Sequence, residues 1–173
     1  AGVDICRAQG APDADEYVVY AALFKAKGHD RQGAQVVIDD MTGIEDFSRE
    51  SYDPRTPDPA INRLTKSLPQ LTKETALDFL VRNRTSWTLK NEFNLSAEII
   101  LVKSYETRRL FDEAASLDDG WKQFHAKYPK ASSIDTVSRV GFNNGKTQAH
   151  VYYGYVCGPL CGQGQFVLLT KTR

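Results

Sequence analysis

The sequence predicts an α+β fold in which an antiparallel sheet, mostly C-terminal, is packed by about three to four helices. Apolar residues recur at helical spacing in the first two thirds of the chain and alternate with polar residues from Ile134 onward. Two turns, one with Asn-Gly and one rich in glycine, separate the alternating stretches. The C-terminal third is therefore predicted to form a three-stranded meander, with one or two earlier strands completing the sheet.

The composition is that of an ordinary globular protein. The chain has 173 residues, of which 41% are apolar and 25% charged, and its net charge is zero. This length is sufficient for one hydrophobic core, so we expect a single domain over residues 1–173. No apolar run reaches 18 residues, which argues against a membrane span. The neutral charge argues against nucleic-acid binding, because that requires a basic surface.

The first predicted helix covers residues 14–27 and has signals at both ends. Asp13 is placed to cap it, with Glu16 three positions later as in a capping box. Gly28 follows two lysines and is placed to end the helix. Its apolar face is formed by Tyr17, Tyr20, Ala21 and Phe24.

The middle of the chain alternates between helical and strand-like stretches. In order, it predicts a strand at 34–39, a long loop at 41–61, a helix beginning at Thr72, a strand at 98–103, a helical stretch at 105–115 and a helix capped by Ser116. Trp121, Phe124 and Tyr128 lie on one face of the last helix and are predicted to be core residues. The 41–61 loop is either a surface excursion or a functional segment.

The C-terminal meander is predicted from three strands, at 134–142, 147–156 and 165–171. Asn144-Gly145 between the first two favours a type I′ turn, which needs two residues with positive φ. The middle strand is apolar on both faces, so we expect it to be covered on both sides.

Three cysteines are present, and two of them lie four residues apart in Cys157-Gly-Pro-Leu-Cys161. The turn between them allows a disulfide. A redox-active dithiol is the second interpretation, although such pairs usually have a two-residue spacer. A zinc site is the third, although no second pair of ligands follows at structural spacing. Cys6 is then either free or buried.

The C-terminal third resembles a module of uncharacterised, exported bacterial proteins with a Cys-Gly-x-x-Cys-Gly hairpin loop. The matching stretches are Val137-Ser-Arg-Val-Gly-Phe142, Gln148-Ala-His-Val-Tyr-Tyr153, Cys157-Gly-Pro-Leu-Cys-Gly162 and Phe166-Val-Leu-Leu169. The resemblance implies export and brings no activity and no catalytic residues. Ala1 at the start favours removal of a signal peptide, the alternative being a boundary chosen in cloning. A periplasmic or secreted location is therefore expected.

No recognised catalytic, metal or cofactor motif accompanies these features. The three histidines are His29, predicted to be solvated, His125 and His150. None belongs to a zinc-hydrolase or nucleophile pattern, so neither a metal nor a cofactor is predicted. Asp39-Asp40 is the weak candidate site, because it ends a predicted strand where loops often build sites.

Three functional hypotheses follow. The first is a non-catalytic exported domain that binds a protein or a cell-envelope component, since tyrosines are plentiful and catalytic patterns are lacking. The second is a carboxylate-based hydrolase with its site at Asp39, Asp40 and the 41–61 loop. The third is a thiol-disulfide protein that uses Cys157 and Cys161. The sequence predicts no oligomeric state.

Overall fold

The computed structural model describes residues 10–43 and 55–171. These residues form five helices and six strands. In chain order they are α1 (Ala14–Ala26), β1 (Gln35–Asp39), α2 (Asp58–Ser67), α3 (Lys73–Arg82), β2 (Glu98–Val102), α4 (Ser104–Asp112), α5 (Leu117–Lys127), β3 (Ala131–Val137), β4 (Gly141–Phe142), β5 (Gln148–Gly158) and β6 (Cys161–Thr170). The described residues are therefore mixed α and β, as predicted, with five helices instead of the predicted three to four.

The sheet is mixed, which corrects the prediction of an antiparallel one. β1 lies between β2 and β3 and runs parallel to both. β3 and β4 pair antiparallel with successive parts of one edge of β5, and β6 pairs antiparallel with its other edge. The predicted C-terminal meander is thus confirmed, but its first strand, predicted over 134–142, is divided into β3 and β4. The two earlier strands join the sheet in parallel.

The parallel half of the sheet results from the helices between the strands. Parallel neighbours need a crossover connection, and α2 with α3 supplies one between β1 and β2. α4 and α5 supply the other, between β2 and β3. The apolar runs of β1 and β2 are typical of parallel strands that are covered on both faces.

The sheet is covered by helices on both faces. α1 packs on one face against Ile38, Val137, Val151 and Tyr153. α2 and α3 pack on the other face against Tyr152, and α5 packs there against Val37 and Ile134. β5 is therefore covered on both sides, as its two apolar faces predict. Trp121, Phe124 and Tyr128 are core residues, as expected.

α1 is built as the sequence predicts. The Glu16 backbone amide donates to Asp13 Oδ1 over 3.1 Å, and the Asp13 amide donates to Glu16 Oε1 over 3.3 Å, which completes the capping box. Gly28 has φ +76°, a left-handed conformation that glycine adopts without strain, and the helix ends before it.

The predicted end of the 41–61 loop is wrong. α2 begins at Asp58, so residues 58–61 are helical and do not belong to the predicted 41–61 loop. Residues 44–54 of that loop, like Cys6, lie outside the described residues.

The turn between β4 and β5 is not type I′, because among residues 143–146 only Lys146 has positive φ. The Asn143 side chain explains this, since its Oδ1 accepts hydrogen bonds from the Thr147 and Gln148 amides. The Lys146 amide in turn donates to the Asn143 carbonyl over 2.9 Å. Residues 143–146 therefore form a four-residue turn whose last residue, Lys146, is left-handed.

A buried ion-pair network joins α1 to the rest of the fold. The Glu16 carboxylate is fully buried and accepts hydrogen bonds from Arg139 Nη2 at 2.6 Å and from Arg82 Nη1 at 3.2 Å. It also accepts from the Val140 amide at 2.9 Å. Arg82 continues the network to Asp78, whose Oδ2 accepts from the Phe142 amide. One carboxylate therefore holds α1, α3 and the β3–β4 connection together.

We expect Glu16→Gln to lower the free energy of unfolding by about 3 kcal/mol or more, because it leaves the Arg139 charge buried without its counter-charge. Urea unfolding at pH 7 measures this change. Glu92→Gln is the matched control: Glu92 is exposed, its ion pair with Lys90 spans 4.0 Å, and its loss should change stability by less than about 0.5 kcal/mol. Equal effects of the two substitutions would contradict the assigned role of Glu16.

Candidate functional site

Asp39 and Asp40 lie at the C-terminal end of β1, where the parallel strands β2 and β3 also end. This edge of a parallel sheet is the usual place for ligand sites. Asp39 Oδ1 accepts hydrogen bonds from Ser104 Oγ at 2.6 Å and from the Met41 amide at 3.1 Å. Both aspartates are half-buried. The structure thus ties Asp39 into the start of α4.

The pKa of the Asp40 carboxyl is raised. Partial burial raises its pKa, and the neighbouring Asp39 charge raises it further, while Lys103 opposes the shift. The segment that would form a cleft with it, residues 44–54, lies outside the described residues. A hydrolase site at Asp39 and Asp40 therefore stays a prediction.

Cys157 and Cys161 form a disulfide at the tip of the β5–β6 hairpin. Their Cα atoms are 5.0 Å apart, within the ordinary range for a disulfide. In this bonded form neither sulfur can bind zinc or act as a nucleophile. Among the described residues, no group of three or more His, Cys, Asp or Glu side chains is arranged to hold a metal ion.

His150 is completely buried in the apolar layer between β5 and α3. Its ring lies against Phe79 at 4.6 Å and stacks on Phe166 at 5.5 Å between centroids. Burial lowers its pKa to about 4, although the nearby Val167 backbone offsets part of the shift. Neither ring nitrogen has a hydrogen-bond partner of normal geometry. His150 is a neutral core residue rather than a catalytic one.

A different set of side chains surrounds a cavity of about 390 Å³ below the end of α1. Four elements supply its walls: the end of α1, the turn that follows, the start of β1 and the start of β3. The lining residues are Lys27, Gly28, His29, Arg31, Ala34, Gln35, Val36, Lys130 and Ser132. We refer to this cavity as the basic pocket, because Lys27, Arg31 and Lys130 are its charged residues.

Local backbone contacts bring these segments together. Gly28 turns the chain back toward β1, and Arg31 Nε donates to the Gly28 carbonyl over 2.8 Å. The Gln35 amide donates to the Lys130 carbonyl, and the Lys130 amide donates to Gln35 Oε1, both over 3.2 Å. Because β1 and β3 are parallel neighbours, their starts meet at one edge of the sheet. This pairing places Lys130 beside residues almost one hundred positions earlier in the chain.

The cations of the basic pocket have no acidic partner within residues 10–43 and 55–171. Lys27, Arg31 and Lys130 are exposed, and none forms an ion pair with a described residue. No described acidic side chain lines the cavity. Three like charges around one cavity repel each other, so an anion placed between them would relieve that repulsion.

Beneath the pocket, three polar groups form a chain into the core. His29 Nε2 lies 3.2 Å from the Tyr153 hydroxyl, which donates over 3.2 Å to Asp135 Oδ1. Ser133 Oγ also donates to Asp135 Oδ1, over 3.0 Å. The other carboxylate oxygen, Oδ2, is 3.9 Å from His29 Nδ1 and has no hydrogen-bond partner. We refer to His29, Tyr153 and Asp135 as the polar chain.

Burial perturbs every member of the polar chain. It raises the pKa of Asp135 to about 7, against the opposing hydrogen bonds from Ser133 and Tyr153. It raises the pKa of Tyr153, and the Asp135 charge adds to that shift. It lowers the pKa of His29, and the positive charges of Arg31 and Lys27 lower it further. Perturbed groups of this kind beside a cavity are typical of functional sites.

Sequence reasoning missed this site. His29 was predicted to be solvated, but only 21% of its side chain is exposed, because Tyr153 and Phe24 pack against it. The available signals were three basic residues in Lys27–Arg31 and one acidic residue in the apolar strand that contains Asp135. Joining them requires the parallel pairing of β1 and β3, which the sequence patterns did not indicate.

Comparisons with known proteins add no family to this picture: no family model, curated protein or solved structure matches the chain. Among the described helices, none combines the length and apolar character needed to cross a membrane.

The His150 environment predicts a specific loss of stability in acid. The unfolded chain binds a proton on this histidine below pH 6.5 and the folded chain only near pH 4, so stability falls as the pH drops through this window. Between pH 7 and pH 5 we expect the wild type to lose about 2 kcal/mol more than His150→Leu. Urea unfolding at both pH values measures the difference.

Asp135 acts in the opposite direction, but its contribution is common to both proteins and cancels in this comparison. His125→Gln, at an exposed position of α5, is the control and should lose as much as the wild type. If His150→Leu and the wild type lost the same stability, the neutral state of His150 would be wrong.

Proposed function

We propose that this chain is a non-catalytic binding domain of an exported protein and that its ligand carries negative charge and binds in the basic pocket. The observation that carries the proposal is the convergence of Lys27, Arg31 and Lys130 on one cavity without an acidic partner among the described residues. The ligand class that we propose is a cell-envelope component that bears phosphate or carboxylate groups.

The size and chemistry of the basic pocket support a small organic anion. A volume of about 390 Å³ lies within the usual range of small-molecule sites. Guanidinium and ammonium groups form short, charge-assisted hydrogen bonds with carboxylate and phosphate oxygens. Ser132 and Gln35 add neutral polar groups at the wall. Such a site holds the ligand by charge and fixes its orientation by hydrogen bonds.

The orientation of His29 supports binding rather than catalysis. Its Nε2 faces the Tyr153 hydroxyl and its Nδ1 faces Asp135 Oδ2, so both nitrogens are directed toward protein groups. A general base must reach a proton on the ligand with a free nitrogen. In this arrangement the imidazole forms part of the pocket floor, and neither nitrogen is free to transfer a proton to or from a ligand.

The disulfide supports the exported location. Bonds such as Cys157–Cys161 persist in oxidising compartments and are rare in the reducing cytosol of most cells. The bond also fixes the shape of the hairpin tip, which presents a fully exposed Leu160.

A second candidate function is the carboxylate hydrolase predicted at Asp39 and Asp40. The raised pKa of Asp40, which burial and Asp39 cause, favours it. The position of both residues at the C-terminal edge of parallel strands favours it as well. Loss of a hydrolytic activity in Asp40→Asn, with anion binding unchanged, would separate this function from the first.

We expect sulfate and citrate to bind the purified chain at pH 7 with dissociation constants below about 1 mM. Isothermal titration calorimetry at constant ionic strength, maintained with chloride, measures this binding and limits the contribution of general screening. Lys130→Gln should weaken citrate binding about tenfold, because it removes one charge-assisted contact.

Lys122→Gln is the matched control for this experiment. Lys122 is exposed on α5 and pairs with Asp119, away from the basic pocket. Its substitution should leave both dissociation constants within about twofold of the wild type. Absence of binding, or equal weakening by the two substitutions, would refute the pocket as the binding site.

A further inference from the structure

The polar chain places two titratable groups, His29 and Asp135, beside the three cations of the basic pocket. We propose that the pocket takes up one proton together with its anionic ligand and that the pair formed by His29 and Asp135 holds this proton. The inference rests on the proposed function, and it specifies how binding at that site is regulated.

The geometry places His29 between the ligand cavity and the buried carboxylate. The imidazole lines the basic pocket, while its Nδ1 lies 3.9 Å from Asp135 Oδ2. Tyr153 bridges the two groups through its hydroxyl. A change of charge in the cavity therefore acts directly on a histidine that is electrostatically coupled to an aspartate.

Charged and titratable groups face His29 from each element packed against it. On its own segment these are Lys27 and Arg31, both positive. From the sheet, Asp135 of β3 and the Tyr153 hydroxyl of β5 approach it. Farther away are Lys130, across the cavity, and Tyr155, which packs on Tyr153 at 5.9 Å between ring centroids.

The cations oppose a third positive charge while the cavity holds no anion. Arg31 and Lys27 lower the pKa of His29, in addition to the effect of burial. An anion seated between these cations reverses the sign of the local field. Protonation of the pair then becomes favourable, and by thermodynamic linkage the proton strengthens anion binding by the same factor.

One proton is sufficient for this coupling, because Asp135 can hold it as well as His29. Its Oδ2 has no hydrogen-bond partner, and its pKa of about 7 means that a proton resides there readily at neutral pH. Whether the proton sits on His29 or on Asp135, the pair gains one positive charge. Two groups coupled in this way titrate together, so the proton is counted for the pair rather than for either residue.

The inference predicts that anion affinity falls as the pH rises. Where one proton is taken up with the ligand, the dissociation constant increases by up to tenfold per pH unit. We expect the dissociation constant of sulfate to be about tenfold larger at pH 8 than at pH 6. Sulfate is the probe because it remains a dianion over this range, so the pH dependence belongs to the protein.

The experiment is isothermal titration calorimetry with sulfate at pH 6, 7 and 8 and constant ionic strength. At pH 7 it is repeated in two buffers of different ionisation enthalpy, which gives the number of protons taken up. His29→Gln and Asp135→Asn should each reduce the pH dependence by at least half while sulfate still binds. His125→Gln, on the exposed face of α5, should retain the wild-type pH dependence.

The outcomes separate this inference from the proposed function. Sulfate binding with the same dissociation constant at all three pH values would overturn proton uptake and leave the proposed function intact. A pH dependence that persists in both His29→Gln and Asp135→Asn would overturn the assignment to this pair. Absence of sulfate binding at all three pH values, together with absence of citrate binding at pH 7, would refute the proposed function and, with it, this inference.

Discussion

The buried carboxylate of Glu16 joins α1 to α3 and to the connection between β3 and β4. It accepts hydrogen bonds from Arg139, Arg82 and the Val140 amide, which belong to the β3–β4 connection and to α3. A buried charge is tolerated only when its partners are in place, so these elements have to assemble together. Tyr20 adds a second link, since its hydroxyl donates to the Ser138 carbonyl over 2.8 Å.

This attachment determines where the other end of α1 lies. The helix crosses one face of the sheet with Tyr20, Leu23 and Phe24 buried against it. Its C-terminal turn therefore arrives over β3, which Lys130 directly precedes and which contains the buried Asp135. The basic pocket thus forms because α1 ends there and because parallel pairing brings the starts of β1 and β3 together. The same placement buries His29 against Tyr153, which couples the cavity to the core.

Local features of the fold could be predicted from the sequence, and long-range ones could not. The capping box of α1, the two apolar faces of β5 and the disulfide turn at Cys157 are set by residues close together in the chain, and the structure contains all three. The parallel pairing of β1 with β2 and β3 depends on crossover helices, which local periodicity does not reveal. The candidate site depends on that pairing, so its members were individually visible but not connected. Asp39 and Asp40 were found because they are adjacent in sequence, whereas His29 and Asp135 are separated by more than a hundred residues.

Anion binding in the basic pocket is tested by a crystal structure of the chain grown with selenate at pH 6. Selenate has the charge and shape of sulfate, and anomalous scattering from selenium locates it without ambiguity. We expect a strong anomalous peak between Lys27, Arg31 and Lys130, with oxygens within hydrogen-bond distance of their nitrogens. Selenate bound elsewhere, with this cavity filled by water alone, would show that the basic pocket is not an anion site.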